Sequence, residues 1–476
     1  MQLVQENPVK IVVYASDEEI SKLRSLLAYK DRTVERQIKT LAKMKHKWGE
    51  AYCLERIEKL KPDLNRSMLE FDGNNYWFLS GLQTRVQEAF PGTTFESKVE
   101  LPEFKLIPWD NKPPYDPMAH QTKGFTALLA NPHSHVEMAT GVGKSFLAHL
   151  LTKAAGIPVI ISTPKTNLAK AFYKEAIRYF GKKRVGMFGA GKKEIGKDIL
   201  ICVGKSLSMV KDPEMKKEFL KYKVFISDES HTLPAKEFQY FCCDLLAHCP
   251  YRWFLSATQE RNDGKDLMLE GIIGKRVYTY TIQQAITDGV LAKLSFLVFD
   301  VSSKSTYKSD NVVKMNQTHI YKNYDIAHMV AGLANEAVLG GMPTLILVDE
   351  YVQNEILSVL LRVPYKFASG EADGNAICEE FNAGKIKCVV GTSAVTTGTD
   401  FKPNRLTISW LGNKAGTKVK QGPIGRSTRI DPPTGKYECK VVAFRITNVP
   451  MLKRHGDICM SYFSEVGPVQ VVKMAG

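Results

Sequence analysis

Short apolar runs recur along the chain, separated by segments long enough to form helices. The first series comprises HVEM (135–138), VIIS (159–162), ILICV (199–203), KVFIS (223–227) and WFLSA (253–257). The second series comprises TLILV (344–348), YKFAS (365–369), CVVGT (388–392), LTISW (406–410) and KVVAF (440–444). Near-continuous apolar strands are typical of parallel sheets that helices cover on both faces. The pattern therefore predicts an α/β fold with two successive doubly wound parallel-sheet domains.

The first hundred residues carry a different pattern. A strand-like run, VKIVVY (9–14), precedes a predicted helix from Asp17 to about Lys30. In the next amphipathic segment one side is apolar, with Val34, Ile38, Leu41 and Met44. Another side is basic, with Arg32, Arg36, Lys39, Lys43 and Lys47. Such a face can lie along phosphates, and it can equally be an ordinary solvated face.

These patterns divide the chain into three predicted domains. We expect a small α+β domain over residues 1–104, which would be the accessory, DNA-binding part. The two doubly wound domains would then span residues 105–293 and 294–476. A chain of 476 residues is consistent with this division, since domains average about 150 residues.

Charge and cysteine usage narrow the class of protein. The chain has 65 Lys and Arg against 50 Asp and Glu, a formal charge of +15. This excess favours a polyanionic partner, although many basic proteins are simply soluble. Nine cysteines form no CxxC pair, which favours reduced thiols in a cytoplasmic protein; a zinc site at Cys242, Cys243, His248 and Cys249 is the alternative. The polar N-terminus and the lack of long apolar runs predict no signal peptide and no membrane partner.

A glycine-rich turn, ATGVGKS (139–145), follows the first apolar run of the central region. Backbone amides around Gly141 and Gly143 can cradle phosphates where a helix begins. Lys144 can reach the β- and γ-phosphates, and the Ser145 hydroxyl is a ligand for Mg²⁺. The turn departs from the full P-loop pattern, because Met138 stands where that pattern has its first glycine. The sequence predicts an ATP site at this turn.

Two adjacent carboxylates, Asp228 and Glu229, close the apolar run KVFIS. Phosphoryl transfer depends mainly on positioning and charge neutralisation, which a strand ending in acidic residues can supply. We expect Asp228 to hold Mg²⁺, directly or through water, and Glu229 to act as the base that positions the attacking water. The alternative is a helix N-cap without a catalytic part.

Far downstream, QGPIGRSTR (421–429) places Arg426 and Arg429 three residues apart. On a helix the two side chains would share a face, and paired guanidiniums suit a triphosphate whose charge develops during cleavage. The second α/β series has no phosphate-binding loop of its own. We therefore expect one ATP between the two series, with arginine fingers supplied by the second.

The ordered set of motifs resembles the superfamily-2 helicases of DExH type. The set is Gln121, ATGVGKS, TPKT (163–166), DESH (228–231), LSAT (255–258), GTSAVTTGTD (391–400) and QGPIGRSTR. The resemblance covers about residues 105–450 and implies two tandem RecA-like domains. Arg261 begins an R-x-D-G element typical of the XPB-like group, and the organisation is similar to phage UvsW-type branch-migration helicases. It is more distantly similar to RecG, whose large wedge domain this chain lacks.

The resemblance also implies roles for residues that spacing alone does not assign. For ATP, it implies binding by Gln121, Gly398 and Asp400. For the coupling of ATP state to nucleic acid, it implies His231, Ser256, Ala257, Thr258 and Gln421. For nucleic-acid contacts, it implies Thr163, Pro164, Lys165, Gly204, Lys205, Arg261 and Thr392.

Together these features predict an ATP- and Mg²⁺-dependent DNA helicase or translocase for forked or branched DNA, including single strands. We expect a monomer located in the cytoplasm, or in the bacterial host cytoplasm if a phage encodes it. The alternatives are an RNA helicase, and a duplex-DNA translocase or remodelling subunit that does not separate strands. A non-enzymatic switch is disfavoured, since both acidic residues and both arginines are present.

Overall fold

A computed structural model describes residues 1–229, 235–257, 264–392, 400–412 and 419–473. The chain divides into two compact units. The first unit comprises residues 1–139 and 143–280, and the second comprises residues 140–142 and 281–476. None of the helices in the described ranges is long and apolar enough to cross a membrane. The three-domain division at residues 104 and 293 stays a prediction.

The first unit begins with a small α+β region. Its strands are β1 (Gln2–Asn7), β2 (Lys10–Tyr14), β3 (Ala28–Lys30), β4 (Asn65–Ser67), β5 (Glu70–Phe71), β6 (Tyr76–Leu79) and β7 (Thr94–Ser97). Its helices are Asp17–Leu26, Arg32–Lys43, Lys45–Trp48, Glu50–Leu60 and Gln83–Ala89, with short 3-10 turns at Lys61–Asp63 and Ser80–Leu82. Five strands form a sheet in the order β5-β6-β2-β1-β7, and β3 pairs with β4.

The helix predicted to run from Asp17 to about Lys30 is shorter than expected. It ends at Leu26, because residues 28–30 form β3 and pair antiparallel with β4. The next helix, Arg32–Lys43, confirms the predicted amphipathic pattern: Val34 and Leu41 are buried. Four of the five predicted basic residues are exposed on this helix, namely Arg32, Arg36, Lys39 and Lys43; Lys47 is also exposed but lies on the next helix, Lys45–Trp48.

The rest of the first unit contains an eight-stranded sheet. Its strands are β8 (His133–Met138), β9 (Val159–Thr163), β10 (Val185–Gly189), β11 (Lys192–Lys193), β12 (Ile199–Val203), β13 (Val224–Asp228), β14 (Tyr251–Ser256) and β15 (Lys275–Tyr280). Its helices are Ala119–Leu129, Lys144–Ala155, Thr166–Phe180, Gly204–Ser208, Pro213–Phe219, Ala235–Tyr240 and Asp266–Ile273, with a π turn at Phe241–Leu245. The order is β11-β10-β12-β9-β13-β14-β8-β15, and all pairs are parallel except β10 with β11.

The second unit contains a seven-stranded sheet in which every strand pair is parallel. Its strands are β16 (Lys293–Val301), β17 (Thr344–Val348), β18 (Lys366–Ala368), β19 (Cys388–Gly391), β20 (Leu406–Trp410), β21 (Glu438–Ile446) and β22 (Val469–Lys473). The order is β18-β19-β17-β20-β21-β16-β22. Its helices are Ile282–Thr287, Val312–Asn316, Tyr324–Leu339, Tyr351–Leu360, Glu371–Asn382, Gly425–Ser427 and Pro450–Ser464. Short turns of other helix types lie at Gln317–Tyr321, Lys420–Ile424 and Pro432–Thr434.

Burial explains why the two parallel sheets could be predicted from apolar runs. Every residue of β9, β12, β13, β17 and β20 is buried. Both faces of these strands therefore pack against other elements, as expected for doubly wound sheets. The predicted α/β class, with a small α+β region before two parallel-sheet domains, is confirmed.

The N-terminal region packs closely on the helix Asp266–Ile273 of the same unit. A Cβ atom at Gly81 would lie 2.4 Å from the carbonyl oxygen of Glu270, so the two backbones are in close contact. Arg85 forms a bidentate ion pair with the Glu270 carboxylate, with N–O distances of 2.9 and 2.7 Å. Leu79 and Leu82 share an apolar cluster with the helix. Removal of the N-terminal region would expose this apolar surface.

Candidate functional site

The glycine-rich turn connects β8 to the helix Lys144–Ala155. Gly141 and Gly143 have φ values of +96° and +88°, a region that residues with a Cβ atom rarely adopt. A Cβ atom at Gly143 would also lie 2.2 Å from Nε2 of Gln121. That Nε2 donates to the carbonyl oxygen of Gly143 at 3.4 Å, and Oε1 accepts from the Met118 N–H at 2.9 Å. Gln121 is thus fixed beside a turn that leads into a helix N-terminus, the arrangement that binds anions.

Lys144 lies at the start of this helix and is only 7% exposed. Its Nζ donates to the carbonyl oxygens of Met138 and Ala139, at 3.2 and 3.4 Å. The same Nζ lies 3.2 Å from Oε1 of Glu229. The lysine predicted to bind phosphate and the acidic residue predicted as the base are therefore in contact.

Asp228 is the last residue of β13 and is 5% exposed. Its Oδ1 atom is buried and has no hydrogen-bond partner among the described residues. Burial, followed by the neighbouring carboxylate of Glu229, raises the pKa of Asp228 above its usual value. A buried carboxylate oxygen without a partner is costly, and a bound cation would compensate it.

Glu229 has a backbone conformation that the sequence does not reveal. Its φ value is +50°, and its N–H donates to the carbonyl oxygen of Leu255 in the neighbouring strand at 2.9 Å. Left-handed backbone is uncommon for residues other than glycine, and it often occurs at functional sites. Here the turn directly follows Asp228 and accompanies the contact between Glu229 and Lys144.

The side chains of Ser145 and Asp228 suit Mg²⁺ that also binds phosphate and water. They are too few to hold a metal ion by themselves. Mg²⁺ is usually held by one or two carboxylates together with substrate phosphates and water. Asp228 offers one carboxylate oxygen without a partner in the described ranges, and Ser145 follows Lys144 at the helix start. In those ranges no group of three or more His, Cys, Asp or Glu side chains could hold a metal ion. All nine cysteines are free thiols, including the three considered for zinc.

The residues expected to contact or sense nucleic acid lie at or just after the carboxyl ends of strands. Thr163 ends β9, Gly204 and Lys205 follow β12, Ser256 ends β14, and Thr392 follows β19. Lys205 is exposed and Pro164, Lys165 and Ala257 are half-buried, whereas Thr163, Gly204, Ser256 and Thr392 are buried. The Thr163 hydroxyl donates to the carbonyl oxygen of Lys165 at 3.1 Å. Lys205 is therefore the most accessible of these side chains.

The expectation that Arg426 and Arg429 share one helix face is wrong. The helix spans Gly425–Ser427 only, and Arg429 lies beyond it. The carbonyl groups near the end of this helix accept hydrogen bonds from outside the helix. The carbonyl oxygen of Thr428 accepts from the Ala292 N–H at 2.7 Å. The Lys436 ammonium donates to the carbonyl oxygens of Ser427, at 3.1 Å, and Arg429. These bonds replace the ones that would continue the helix.

Both arginines nevertheless point to the same carboxylate, that of Asp400. Arg429 Nε donates to Asp400 Oδ1, and Arg426 Nη1 lies 4.0 Å from the same oxygen. Burial acts to raise the pKa of Asp400, and the two guanidiniums outweigh it and hold that pKa below its usual value. The second unit thus brings together three residues that the sequence assigned to ATP.

Lys436 is a member of this cluster that sequence reasoning missed. Its side chain is fully buried, and burial lowers its pKa to about 8. A buried ammonium bonded to two carbonyl oxygens holds the arginine segment in place. No motif or spacing marks this lysine in the sequence.

Five predicted residues cannot be placed in the structure. His231, Thr258, Arg261, Gly398 and the side chain of Gln421 lie outside the described residues. The end of the R-x-D-G element is described, however. Lys265, the next residue, places its Nζ 3.2 Å from Oδ2 of Asp31, the N-cap of the helix Arg32–Lys43. Lys265 therefore connects the segment that follows Gly264 to the basic N-terminal helix, through an ion pair in which Asp31 is buried and Lys265 is 19% exposed.

Comparison with known proteins gives a family match for part of the chain. The DEAD/DEAH box helicase family matches residues 118–267. The DNA 3'-5' translocase XPB2 of Sulfurisphaera tokodaii is 24% identical over 203 residues. That alignment covers 43% of this chain and 41% of XPB2, so the chain spans less than half the length of this relative. The expected superfamily-2 helicase resemblance is confirmed.

Solved structures agree with this fold. MrfA, solved bound to DNA, has a TM-score of 0.53 at 14% identity, over 74% of this chain and 49% of MrfA. A variant of Dbp5 from S. cerevisiae has a TM-score of 0.52 at 16% identity, over 76% of this chain and 90% of the Dbp5 chain. The alignment with T4 UvsW covers 99% of both chains at 14% identity, with a TM-score of 0.44.

Proposed function

Since residues 118–267 match the DEAD/DEAH box helicase family, we propose that this chain is an ATP-dependent DNA helicase or translocase. Its substrates would be forked or branched DNA, as in branch migration, recombination, repair or replication-fork processing. It would act as a monomer in the cytoplasm. If a phage encodes it, this would be the cytoplasm of the bacterial host.

The observation that carries this proposal is the arrangement of Lys144, Asp228 and Glu229. A lysine at a helix N-terminus contacts one carboxylate, while the adjacent carboxylate is buried with an oxygen that has no partner in the described residues. Such an arrangement is costly for stability, because it buries charge without full compensation. It becomes favourable when a phosphate chain and a cation bind, which is what hydrolysis of ATP requires.

We assign a part in ATP hydrolysis to each predicted residue of the glycine-rich turn and of the acidic strand end. The backbone at Gly141 and Gly143 would hold the phosphates, and Gln121 would recognise adenine. The Lys144 ammonium would exchange the Glu229 carboxylate for phosphate oxygens, which frees Glu229 to position and deprotonate the attacking water. Ser145 and Asp228 would hold Mg²⁺, which neutralises charge on the β- and γ-phosphates when bound.

The arginine cluster of the second unit would meet the charge that develops on the transferred phosphoryl group. Arg426 and Arg429 supply two guanidiniums, and Asp400 holds them in fixed positions. Gly398 belongs to the same stretch in this proposal. Arginine fingers of this kind are most effective when they are preorganised, because no reorganisation is then needed during the reaction.

Nucleic acid would bind along the strand ends that carry Thr163, Pro164, Lys165, Gly204, Lys205, Arg261 and Thr392. The coupling residues His231, Ser256, Ala257, Thr258 and Gln421 would relay the state of the nucleotide to that track. The name of XPB2 describes a DNA 3'-5' translocase, and this supports DNA as the track. It also favours a second candidate function, translocation on duplex DNA without strand separation.

The experiment that tests the proposal compares ATP-dependent unwinding of forks, four-way junctions, D-loops and linear duplexes. We expect forks and junctions to be separated faster than linear duplexes, and Glu229→Gln to separate none of them. A duplex that carries a third strand as a triplex separates the second candidate. ATP-dependent displacement of that third strand, without separation of the duplex itself, would instead identify a duplex translocase. Stimulation of ATP hydrolysis by RNA and not by DNA would overturn the choice of DNA.

A further inference from the structure

Positive charge in the N-terminal region is concentrated in one helical hairpin, residues 32–61. This segment has nine Lys and Arg residues against four Glu residues, a net charge of +5. The other residues among the first hundred have seven Lys and Arg against eleven Asp and Glu, a net charge of −4. The near-neutral balance of the whole region therefore conceals a strongly basic hairpin.

The hairpin is a packed structure with a groove. The helices Arg32–Lys43 and Glu50–Leu60 pack through Leu41, Cys53 and Ile57, with Ile38 and Leu60 beside them. Between them a solvent-accessible cavity of about 590 Å³ opens; side chains that line it include Arg36, Thr40, Trp48, Tyr52, Arg56 and Lys59. We call this cavity the hairpin groove. Of the described residues that line it, none is acidic.

Two aromatic rings in the hairpin groove are exposed to solvent. Trp48 is 48% exposed and Tyr52 is 49% exposed. The Arg56 guanidinium lies 5.9 Å from the centre of the Tyr52 ring, within the range of a cation–π contact. The pairing of aromatic and basic side chains along one groove is typical of sites that bind unpaired bases.

The carboxylates of the hairpin are already engaged by lysines. Glu35 pairs with Lys30 and Lys39, and Glu50 pairs with Lys45. Glu55 and Glu58 pair with Lys59 and Lys61. The local acidic charge is therefore satisfied within the hairpin, and a net positive potential remains for an external polyanion.

We propose that the hairpin groove binds a single strand of nucleic acid. Bases would stack on Trp48 and Tyr52, and phosphates would contact Arg36 and Arg56. Exposed rings select a single strand over a duplex, because bases in a duplex are already stacked. This inference rests on the proposed function for its class of ligand.

The test measures binding of the full chain, without ATP, to labelled single-stranded DNA, single-stranded RNA and blunt duplex DNA. In the double variant Trp48→Ala, Tyr52→Ala, affinity for the single strand should fall about tenfold or more. Affinity for blunt duplex should change little. The variant Trp48→Phe, Tyr52→Phe keeps the rings and should retain most of the affinity.

A matched control is Tyr14→Ala, since Tyr14 is also 49% exposed but lies outside the hairpin. It should leave binding unchanged. A second variant, Arg36→Gln with Arg56→Gln, should weaken binding and make it less sensitive to salt, because fewer counterions are released. Preference for DNA or RNA in the same assay identifies the strand that the groove accepts.

Two results would overturn the proposal that the hairpin groove binds a single strand. One is unchanged single-strand affinity in the folded double-alanine variant. The other is an equal loss of affinity for duplex and for single strand. The second would show that the hairpin acts through charge alone. Neither result would bear on the proposed ATP hydrolysis, which is measured separately. If nucleic acid fails to stimulate the wild-type ATPase, the proposed function fails instead.

Discussion

The Lys144 ammonium lies 3.2 Å from the Glu229 carboxylate, so the two groups that we assign to phosphate and to water are paired. The pair is largely buried, and Glu229 reaches it through a left-handed backbone turn. Each partner therefore limits the freedom of the other. Substitutions of the two residues should consequently have different effects on ATP binding and on turnover.

Lys144→Ala should weaken ATP binding and abolish turnover, because it removes the cation that meets the phosphates. Glu229→Gln should keep ATP binding but lower turnover by about 10²-fold or more, since only the positioned base is lost. Binding of a fluorescent ATP analogue and steady-state hydrolysis separate the two effects. Near-normal hydrolysis in Glu229→Gln would rule out its assignment as the base.

Arg429→Ala should reduce kcat much more than it raises the KM for ATP, because the charge that Arg429 meets grows in the transition state. Arg426→Ala should also reduce kcat more than it raises the KM for ATP. The reduction should be smaller than in Arg429→Ala, since Arg426 is the more distant partner of Asp400. Steady-state kinetics with saturating nucleic acid provides both parameters. An effect confined to KM would contradict the finger assignment.

Lys436 should act as a positioning residue for the arginine segment. Lys436→Met leaves the carbonyl groups of Ser427 and Arg429 without their donor, and we expect kcat to fall about 10- to 100-fold with little change in KM. Lys436→Arg keeps the donors and should restore part of the rate. A purely structural role would instead lower the unfolding temperature in Lys436→Met while leaving kcat unchanged in the folded protein.

The ion pair of Asp31 with Lys265 should stabilise the first unit in a pH-dependent way. Burial acts to raise the pKa of Asp31, but the Val34 N–H and the Lys265 ammonium outweigh it and hold that pKa below 3.8. A lowered folded-state pKa adds stability above the unfolded value, and this stability is lost as the pH falls through the folded value. Lys265→Ala should therefore cost about 1–3 kcal/mol at neutral pH.

The check is the free energy of unfolding in urea at several pH values for the wild type and Lys265→Ala. The difference between the two proteins should be constant above about pH 5 and should shrink as the pH falls below about 4. A difference that persists unchanged in acid would mean that Lys265 stabilises the fold by packing and not through Asp31.

The sequence predicted the fully buried strands well and missed half-buried and exposed ones. Every residue of β17 and β20 is buried, so these strands appear as continuous apolar runs. By contrast β16 (KLSFLVFDV) alternates buried and partly exposed residues, and most of β22 (VQVVK) is exposed. A search for continuous apolar runs does not detect such strands, because half-buried strands follow a period of two.

Three features of the site arise from tertiary contacts and have no local sequence signal. The positive φ of Glu229 depends on its bond to Leu255, and the end of the helix at Ser427 depends on Lys436 and Ala292. The pairing of Asp31 with Lys265 joins residues far apart in the chain. The residue types at the nucleotide site could be predicted from motif order, whereas their partners required the fold.

Steady-state ATP hydrolysis with and without forked DNA, by the wild type and by Glu229→Gln, tests the central claim most directly. We expect forked DNA to stimulate the wild-type rate, and we expect Glu229→Gln to bind the same DNA without hydrolysing ATP. A wild-type rate that neither DNA nor RNA changes, or one that Glu229→Gln leaves intact, would contradict the account.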